Sequence, residues 1–323
     1  MAKIKARALL AAIVLSLSLP ASAQSAYPSS PINLVVSLAA GNTVDVLARL
    51  YANKLSKLLG QSVVVINRPG AGGLIAAQTV ATATPDGYTL LMANSGHAIL
   101  GQMNKNLPFD PIKDFAGISM VADAPALIVV SPSLHVKTLR EFVELAASKP
   151  GTINFGSAGI GTSTHLSGAY FAYKAGISLV HVPYKNGAEI LPDMIAGRMQ
   201  ATFSPLAFVL PMLNDHKLEA LAVASPDDMA APIKLPSARS AGVDYVYSTW
   251  YGILAPAKMP PADRKILADA VQAASADPEL MEKVAAQGVT THIVQLDAFD
   301  TYIRDEMTRL DPVLKTLDSA MKK

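Results

Sequence analysis

Apolar positions along the chain fall into two rhythms. Short apolar runs at 32–38, 63–66 and 88–92 have the length of buried strands, whereas Leu47, Leu50, Leu55 and Leu58 recur at helical spacing over 44–59. Gly60 stands where such a helix ends in a left-handed residue. A glycine-rich turn at 67–73 leads into a small-residue helix at 74–83, and Asp86-Gly87 marks the turn before the third run. Strand, helix and strand in this order predict an α/β fold with parallel pairing.

The pattern then lengthens. Residues 118–130 form one apolar stretch interrupted by Asp123-Ala124-Pro125, which predicts a strand crossing from one domain to another. Thr138 is placed to cap a helix over 139–147, and Pro150-Gly151 closes it. Strands are expected from 177, at 199–203 and at 218–224, with helices at 167–175, 188–196 and 208–213 and a loop over 226–236. Residues 250–255 read as a return crossing, followed by helices at 261–276, 278–287 and 296–317. The expected organisation is two α/β domains joined by crossing strands: residues 24–123 with 251–323 as the first, and 124–250 as the second.

The first 23 residues read as a secretory signal, with Lys3, Lys5 and Arg7, an apolar run over 8–19, and Ala21-Ser22-Ala23 for cleavage. The expected mature protein is exported to the periplasm, begins near Gln24 and is monomeric. Taking the three basic residues of the signal from 27 leaves 24 against 25 acidic ones. Without net basicity or a Lys/Arg cluster, nucleic acid is not an expected partner. Cysteine is absent, so disulfides, thiolate metal sites and cysteine nucleophiles are excluded. At 51% hydrophobic residues the chain can hold its core without staples.

Candidate chemistry concentrates at 154–166, Asn-Phe-Gly-Ser-Ala-Gly-Ile-Gly-Thr-Ser-Thr-His-Leu. Gly156, Gly159 and Gly161 admit positive φ and close approach to the backbone, and Ser157, Thr162, Ser163 and Thr164 supply hydroxyls. The first turn of a following helix leaves N–H groups that favour a carboxylate or phosphate. Such a turn also serves as a plain connection between strand and helix. A second turn of the same design, Ala39-Ala40-Gly41-Asn42-Thr43, follows the first strand, so one turn is expected to face the other across a cleft. Asn94-Ser95-Gly96-His97 lies beyond the end of the third strand, where open α/β sheets place ligands. Ser95 is either a ligand contact or a cap in a solvated loop, and His97 is expected on the surface. Arg49 and Arg68 are expected in structural salt bridges.

Several of these motifs stand in a fixed order: Tyr27-Pro28 ahead of Pro31-Ile32; Ala40-Gly41, Thr43 and Asp45-Val46-Leu47-Ala48-Arg49; Asn67-Arg68-Pro69-Gly70-Ala71-Gly72-Gly73; Asp86-Gly87-Tyr88-Thr89-Leu90; Gly156-Ser157-Ala158-Gly159-Ile160-Gly161 with His165-Leu166; and His181-Val182-Pro183-Tyr184-Lys185. Together they resemble the Bug family, the TctC-like extracytoplasmic solute-binding proteins of tripartite tricarboxylate transporters, over nearly the whole mature chain. The resemblance implies a two-lobed periplasmic-binding-protein fold, type II-like, that closes on a small carboxylate and delivers it to membrane permease subunits. It implies one wall from Ala40, Gly41, Asn42 and Thr43 and another from Ser157, Ala158, Gly159, Gly161, Thr162 and Ser163. Ser95 and Lys185 are further candidates. No cofactor or metal is implied. Asn42 replaces a glycine common in the family, Gln200 stands where an acid is frequent, and Pro236-Ser237 with Ser240-Ala241-Gly242 departs from the usual pattern. These departures bear on the far end of the pocket and on docking, and leave the fold unaffected.

Other chemistries fare worse. Ser157 with His165 or His181 is the one tempting nucleophile and base, but Phe155 occupies the first glycine position of a Gly-x-Ser-x-Gly elbow. The six histidines show no metal-ligand spacing, and neither glycine-rich turn completes a nucleotide fingerprint. His165 is expected to pack or cap a helix, and His181 to be a satisfied core histidine. A ligand-responsive partner of a membrane sensor is a rival role for the same fold. The ligand stays open among dicarboxylates, tricarboxylates, amino acids and aromatic acids, with a dicarboxylate preferred. Pro205, Phe208 and the aromatics of 247–251 either line an apolar far wall or pack the core.

Overall fold

The computed structural model describes residues 27–321 apart from 105, 186 and 231, so the signal segment lies outside the described residues. Strands β1 (Ile32–Val36), β2 (Val63–Asn67) and β3 (Thr89–Asn94) pair in parallel around β1. Helix α1 (Thr43–Leu59) and helix α2 (Leu74–Ala81) connect them, and Gly60 ends α1 at φ 67 as its sequence position predicts.

Strand β4 (Phe115–Val130) runs through both lobes. Its residues from Phe115 to Pro125 pair antiparallel with the return strand, and those from Ala126 to Val130 pair with a strand of the second lobe. Pro125 has no N–H to give a ladder, which suits it to the point where the partner changes. The second lobe contains helix α4 (Leu139–Ser148), strand β5 (Asn154–Ser157), helix α5 (Ser163–Ala175), strand β6 (Val180–Pro183) and helix α6 (Ile190–Ile195), after the short helix α3 (Leu100–Met103) of the first. Strand β7 (Ala201–Pro205), helix α7 (Leu206–Asn214) and strand β8 (Glu219–Val223) complete it. The return strand β9 (Ser248–Pro256) leads to α8 (Pro261–Ser275), α9 (Pro278–Ala285), β10 (Thr290–Gln295) and α10 (Leu296–Met321). The order β2-β1-β3-β9-β4-β7-β5-β6, with β8 and β10 also on β4, makes the sheet mixed and not purely parallel.

The two crossing strands are buried almost throughout and carry the packing between the lobes. A Cβ on Gly252 would lie 2.4 Å from the Phe299 ring, so glycine there lets α10 settle on β9. Tyr245, Tyr247, Trp250 and Tyr251 are buried in the core, and Trp250 Nε1 donates to the buried Glu306 carboxylate of α10. Core packing therefore accounts for these aromatics. Strand β10 was not among the expected elements, and α5 begins four residues before the expected 167, which places Ser163 and Thr164 within its first turn.

Candidate functional site

The turn after β1 is tied to itself. Asn42 caps α1, its Oδ1 accepting the Val44 N–H at 2.8 Å and the Asp45 N–H at 3.3 Å. The Asp45 carboxylate accepts the Gly41 N–H at 2.9 Å, Arg49 Nε at 3.0 Å and Asn67 Nδ2 at 2.9 Å. Burial opposes its ionisation, but Arg49, the Gly41 N–H and Asn67 outweigh that and hold its pKa below the usual carboxylate range. Arg49 thus forms the expected structural salt bridge. Arg68 does not: it is exposed and has no ion pair among the described residues. Ala40 and Gly41 are exposed, Asn42 and Thr43 half-buried, and the Ala40, Asn42 and Thr43 N–H groups have no partner among the described residues. The Thr43 hydroxyl stands beside that of Tyr251.

The turn after β5 is organised differently. Its internal bonds go from the Ala158 N–H to Thr164 Oγ1 at 3.0 Å, from the Gly159 N–H to Ser157 Oγ at 3.1 Å and from the Gly161 N–H to His165 Nδ1 at 3.2 Å. Thr162 sits at the N-cap of α5 but gives its hydroxyl to the Gly159 carbonyl at 2.7 Å, and so caps nothing. The N–H groups of Ser163, Thr164 and His165 consequently have no partner among the described residues, and the first helical bond is Leu166 N–H to the Thr162 carbonyl. An uncapped N-terminus of a 13-residue helix, half-exposed at Thr162 and Ser163, can accept an oxyanion through several N–H groups at once. Gly161, at φ 79, would meet no atom within 4 Å with a Cβ added, so the space above it is open.

Two segments of the first lobe close on this turn. A Cβ on Gly96 would stand 3.3 Å from the Gly161 carbonyl oxygen, and one on Gly72 would stand 3.8 Å from the Ile160 carbonyl oxygen. Gly73 in turn abuts Ser37 at the end of β1, and Asn67 Nδ2 donates to the Leu38 carbonyl at 3.1 Å, tying this face to the first glycine turn. Asp45, Asn67 and Gly72 were not singled out as ligand contacts in the sequence, whereas Gly96 lay in the stretch after β3 and Tyr251 among the aromatics weighed for a far wall. The run of glycines at 70–73 was the signal that could have found Gly72.

The remaining candidates fall in different settings. Ser95 is fully buried with its hydroxyl beside that of Tyr247, while Asn94 does the capping by accepting the Gly96 N–H at 3.0 Å. His97 is not on the surface: it is buried, its Nε2 lies 2.9 Å from the Pro111 carbonyl, and burial lowers its pKa to about 4. Lys185 is exposed in the turn after β6, one residue beyond the Tyr184 carbonyl that faces Gly159. Ser157 is fully buried, with its Oγ 2.6 Å from His181 Nε2. That hydroxyl also accepts the Gly159 N–H, and among the described residues no carboxylate is bonded to His181, so the pair has the form of a turn brace and lacks the orienting acid of a triad. Two cavities of about 400 and 390 Å³ open elsewhere, one beside Phe115 and Arg304 and the other beside Lys137 and His216. Neither touches a glycine turn, where the unpaired N–H donors stand.

Known proteins share the sequence and the fold of this chain. The family model described as tripartite tricarboxylate transporter family receptor matches residues 47–318. BugT of Bordetella pertussis is 30% identical over 299 residues, covering 92% of each chain. An R. palustris protein solved with adipate is 30% identical with a TM-score of 0.80, covering 90% of this chain and 98% of that one. MatC from Rhodopseudomonas palustris with bound malate is 26% identical with a TM-score of 0.78, covering 89% of this chain and 100% of that one. The chain therefore belongs to the TctC family of tripartite tricarboxylate transporter receptors, which are solute-binding proteins and not enzymes.

Proposed function

We propose that this chain, exported and cleaved near Ala23, captures a small dicarboxylate between its lobes and delivers it to the membrane permease subunits of a tripartite tricarboxylate-type transporter. The observation that carries this reading is the open N-terminus of α5. Three consecutive backbone N–H groups without partners, at the half-exposed mouth of a glycine turn that meets the opposite lobe, present donors to a carboxylate and need no basic side chain. The adipate and malate found in related proteins support an aliphatic diacid. One carboxylate would lie on Ser163 and Thr164 with Ala158, Gly159, Gly161 and Thr162 shaping the turn that Ser157 braces. The rest of the ligand would reach toward Ala40, Asn42 and Thr43, with Gly41 shaping that wall and Ser95 behind it. Lobe boundaries near 123 and 250 leave β4 and β9 as the hinge.

A thermal-shift screen of the chain from Gln24 tests this, because a ligand that binds the native state alone raises the apparent midpoint. Adipate, malate or a related diacid is expected to raise it, while neutral amides, sugars and phosphate leave it unchanged. A rise with a neutral or phosphorylated compound and none with any acid would overturn the ligand class.

A further inference from the structure

Beneath the second glycine turn lies an aromatic stack with no counterpart at the first among the described residues. The His165 ring of α5 and the His181 ring of β6 are 3.9 Å apart at their centroids and inclined by 25°, and Phe155 of β5 lies 5.0 Å from His181. Each imidazole holds one end of the turn. Gly161 donates its N–H to His165 Nδ1 at 3.2 Å, and Ser157, itself the acceptor of the Gly159 N–H, lies 2.6 Å from His181 Nε2. An Nδ1 that accepts cannot carry a proton, so His165 is held neutral with its proton on Nε2. Two stacked imidazolium ions at this separation would repel, so the pair is not doubly charged.

We propose that His165 and His181 are positioning residues for the carboxylate site, a stacked neutral pair that fixes Gly161 and Ser157 from below so that the anion is held by backbone N–H groups and never by an imidazolium. The inference rests on the carboxylate-receptor reading. The surroundings agree with it. Among the described residues, the charge influence on His165 comes from the His181 ring; further out, Lys185 is exposed, and Asp193 is occupied by the Tyr184 hydroxyl at 2.7 Å and by Arg198. Burial, reinforced for His165 by its neighbour, lowers the two pKa values to about 3 and about 4. The consequence is an anion site insensitive to pH where a histidine-liganded one would strengthen on acidification.

Three variants separate bracing from packing. His165→Phe keeps an aromatic ring in the stack and loses the acceptor; His165→Asn keeps an acceptor near the Nδ1 position and loses the ring; His181→Gln keeps a polar atom within reach of Ser157. With adipate and malate as calorimetric probes, the wild type is expected to bind with the same Kd from pH 8 to pH 6. His165→Phe should weaken binding by about tenfold, and His165→Asn and His181→Gln by about threefold or less. Equal binding by His165→Phe, or wild-type affinity rising about tenfold as pH falls through the ordinary histidine range, overturns the proposal. Ring ¹⁵N spectra of the ligand-free chain decide it independently. They should show an unprotonated His165 Nδ1 from pH 8 to pH 5; protonation of that nitrogen in this range contradicts the pair. Failure of the wild type to bind any acid overturns the receptor reading, while the spectra still decide the pair.

Discussion

Gly41 gives its backbone N–H to the Asp45 carboxylate at 2.9 Å, so the first glycine turn carries a buried negative charge of its own just beneath the wall proposed for an anion. The turn tolerates this because Arg49 and Asn67 share the carboxylate and Asn42 satisfies the start of α1. Asp is as good an N-cap as Asn. Asn42→Asp is therefore expected to keep the thermal midpoint near that of the wild type while weakening carboxylate binding by about tenfold or more through like-charge repulsion. Calorimetry beside a melting curve checks both halves. Asn42→Ala gives the opposite pattern on the stability side, losing about 1 kcal/mol.

Glycine at 161 is favoured by its φ of 79, and because the space above it is open an added side chain would enter the cleft and not the packed fold. Gly161→Val should leave a folded protein, at a backbone cost of about 1–2 kcal/mol, that no longer binds a carboxylate. Gly159→Val, at φ 119, should behave alike. Gly96→Ala is a gentler probe of closure, since its φ is unexceptional and its new methyl would press on the Asn94 side chain at 3.1 Å and on the Gly161 carbonyl at 3.3 Å. We expect several-fold weaker binding with an unchanged melting curve. Unchanged affinity in all three would remove the 159–161 turn from the site.

Three histidines are held neutral, His97 and His165 buried and His181 half-buried, with pKa values near 4, 3 and 4 against an ordinary 6.5. Because their folded values are depressed, the unfolded chain takes up protons first as pH falls. Their contribution to stability is complete above pH 6.5 and is lost on acidification from there toward 4. The thermal midpoint should drop over this window by an amount corresponding to at least about 2 kcal/mol. A midpoint that is flat or rises between pH 6.5 and 4.5 would contradict this.

Glu306 works in the opposite sense. Burial is the main influence and lifts its pKa to about 7, despite the bond from Trp250 and the nearby Arg309. A raised carboxyl contributes stability below its unfolded pKa and loses it as pH rises through 7. Glu306→Gln retains an acceptor for Trp250 and should raise stability at pH 8 by on the order of 2 kcal/mol, with little effect at pH 5. Trp250 is the single tryptophan of the chain, so its fluorescence reports the same titration directly. An emission that is constant from pH 6 to pH 8 would place the proton elsewhere.

Much of the fold was legible because it is written locally. Gly60 ends α1, Thr138 and Glu141 form the capping box of α4, and the interruption at Asp123-Ala124-Pro125 falls where β4 changes partners. Both glycine turns were visible for the same reason. What escaped depends on distant chain. His97 reads as a surface residue until Pro111 accepts its ring, and His165 and His181 meet only because β5 and β6 pair in parallel. Gly72 and Gly96 acquire a role only when the lobes meet. The uncapped start of α5 was hidden by Thr162, a good capping residue by type whose hydroxyl is drawn to the Gly159 carbonyl instead.

The most direct test of the central claim is an amide ¹⁵N–¹H titration of the chain from Gln24 with adipate or malate, following Ser163, Thr164 and His165. Saturable downfield shifts of these three N–H groups, with the same Kd that calorimetry reports, are the predicted result. Heat of binding with these amides unmoved would contradict it.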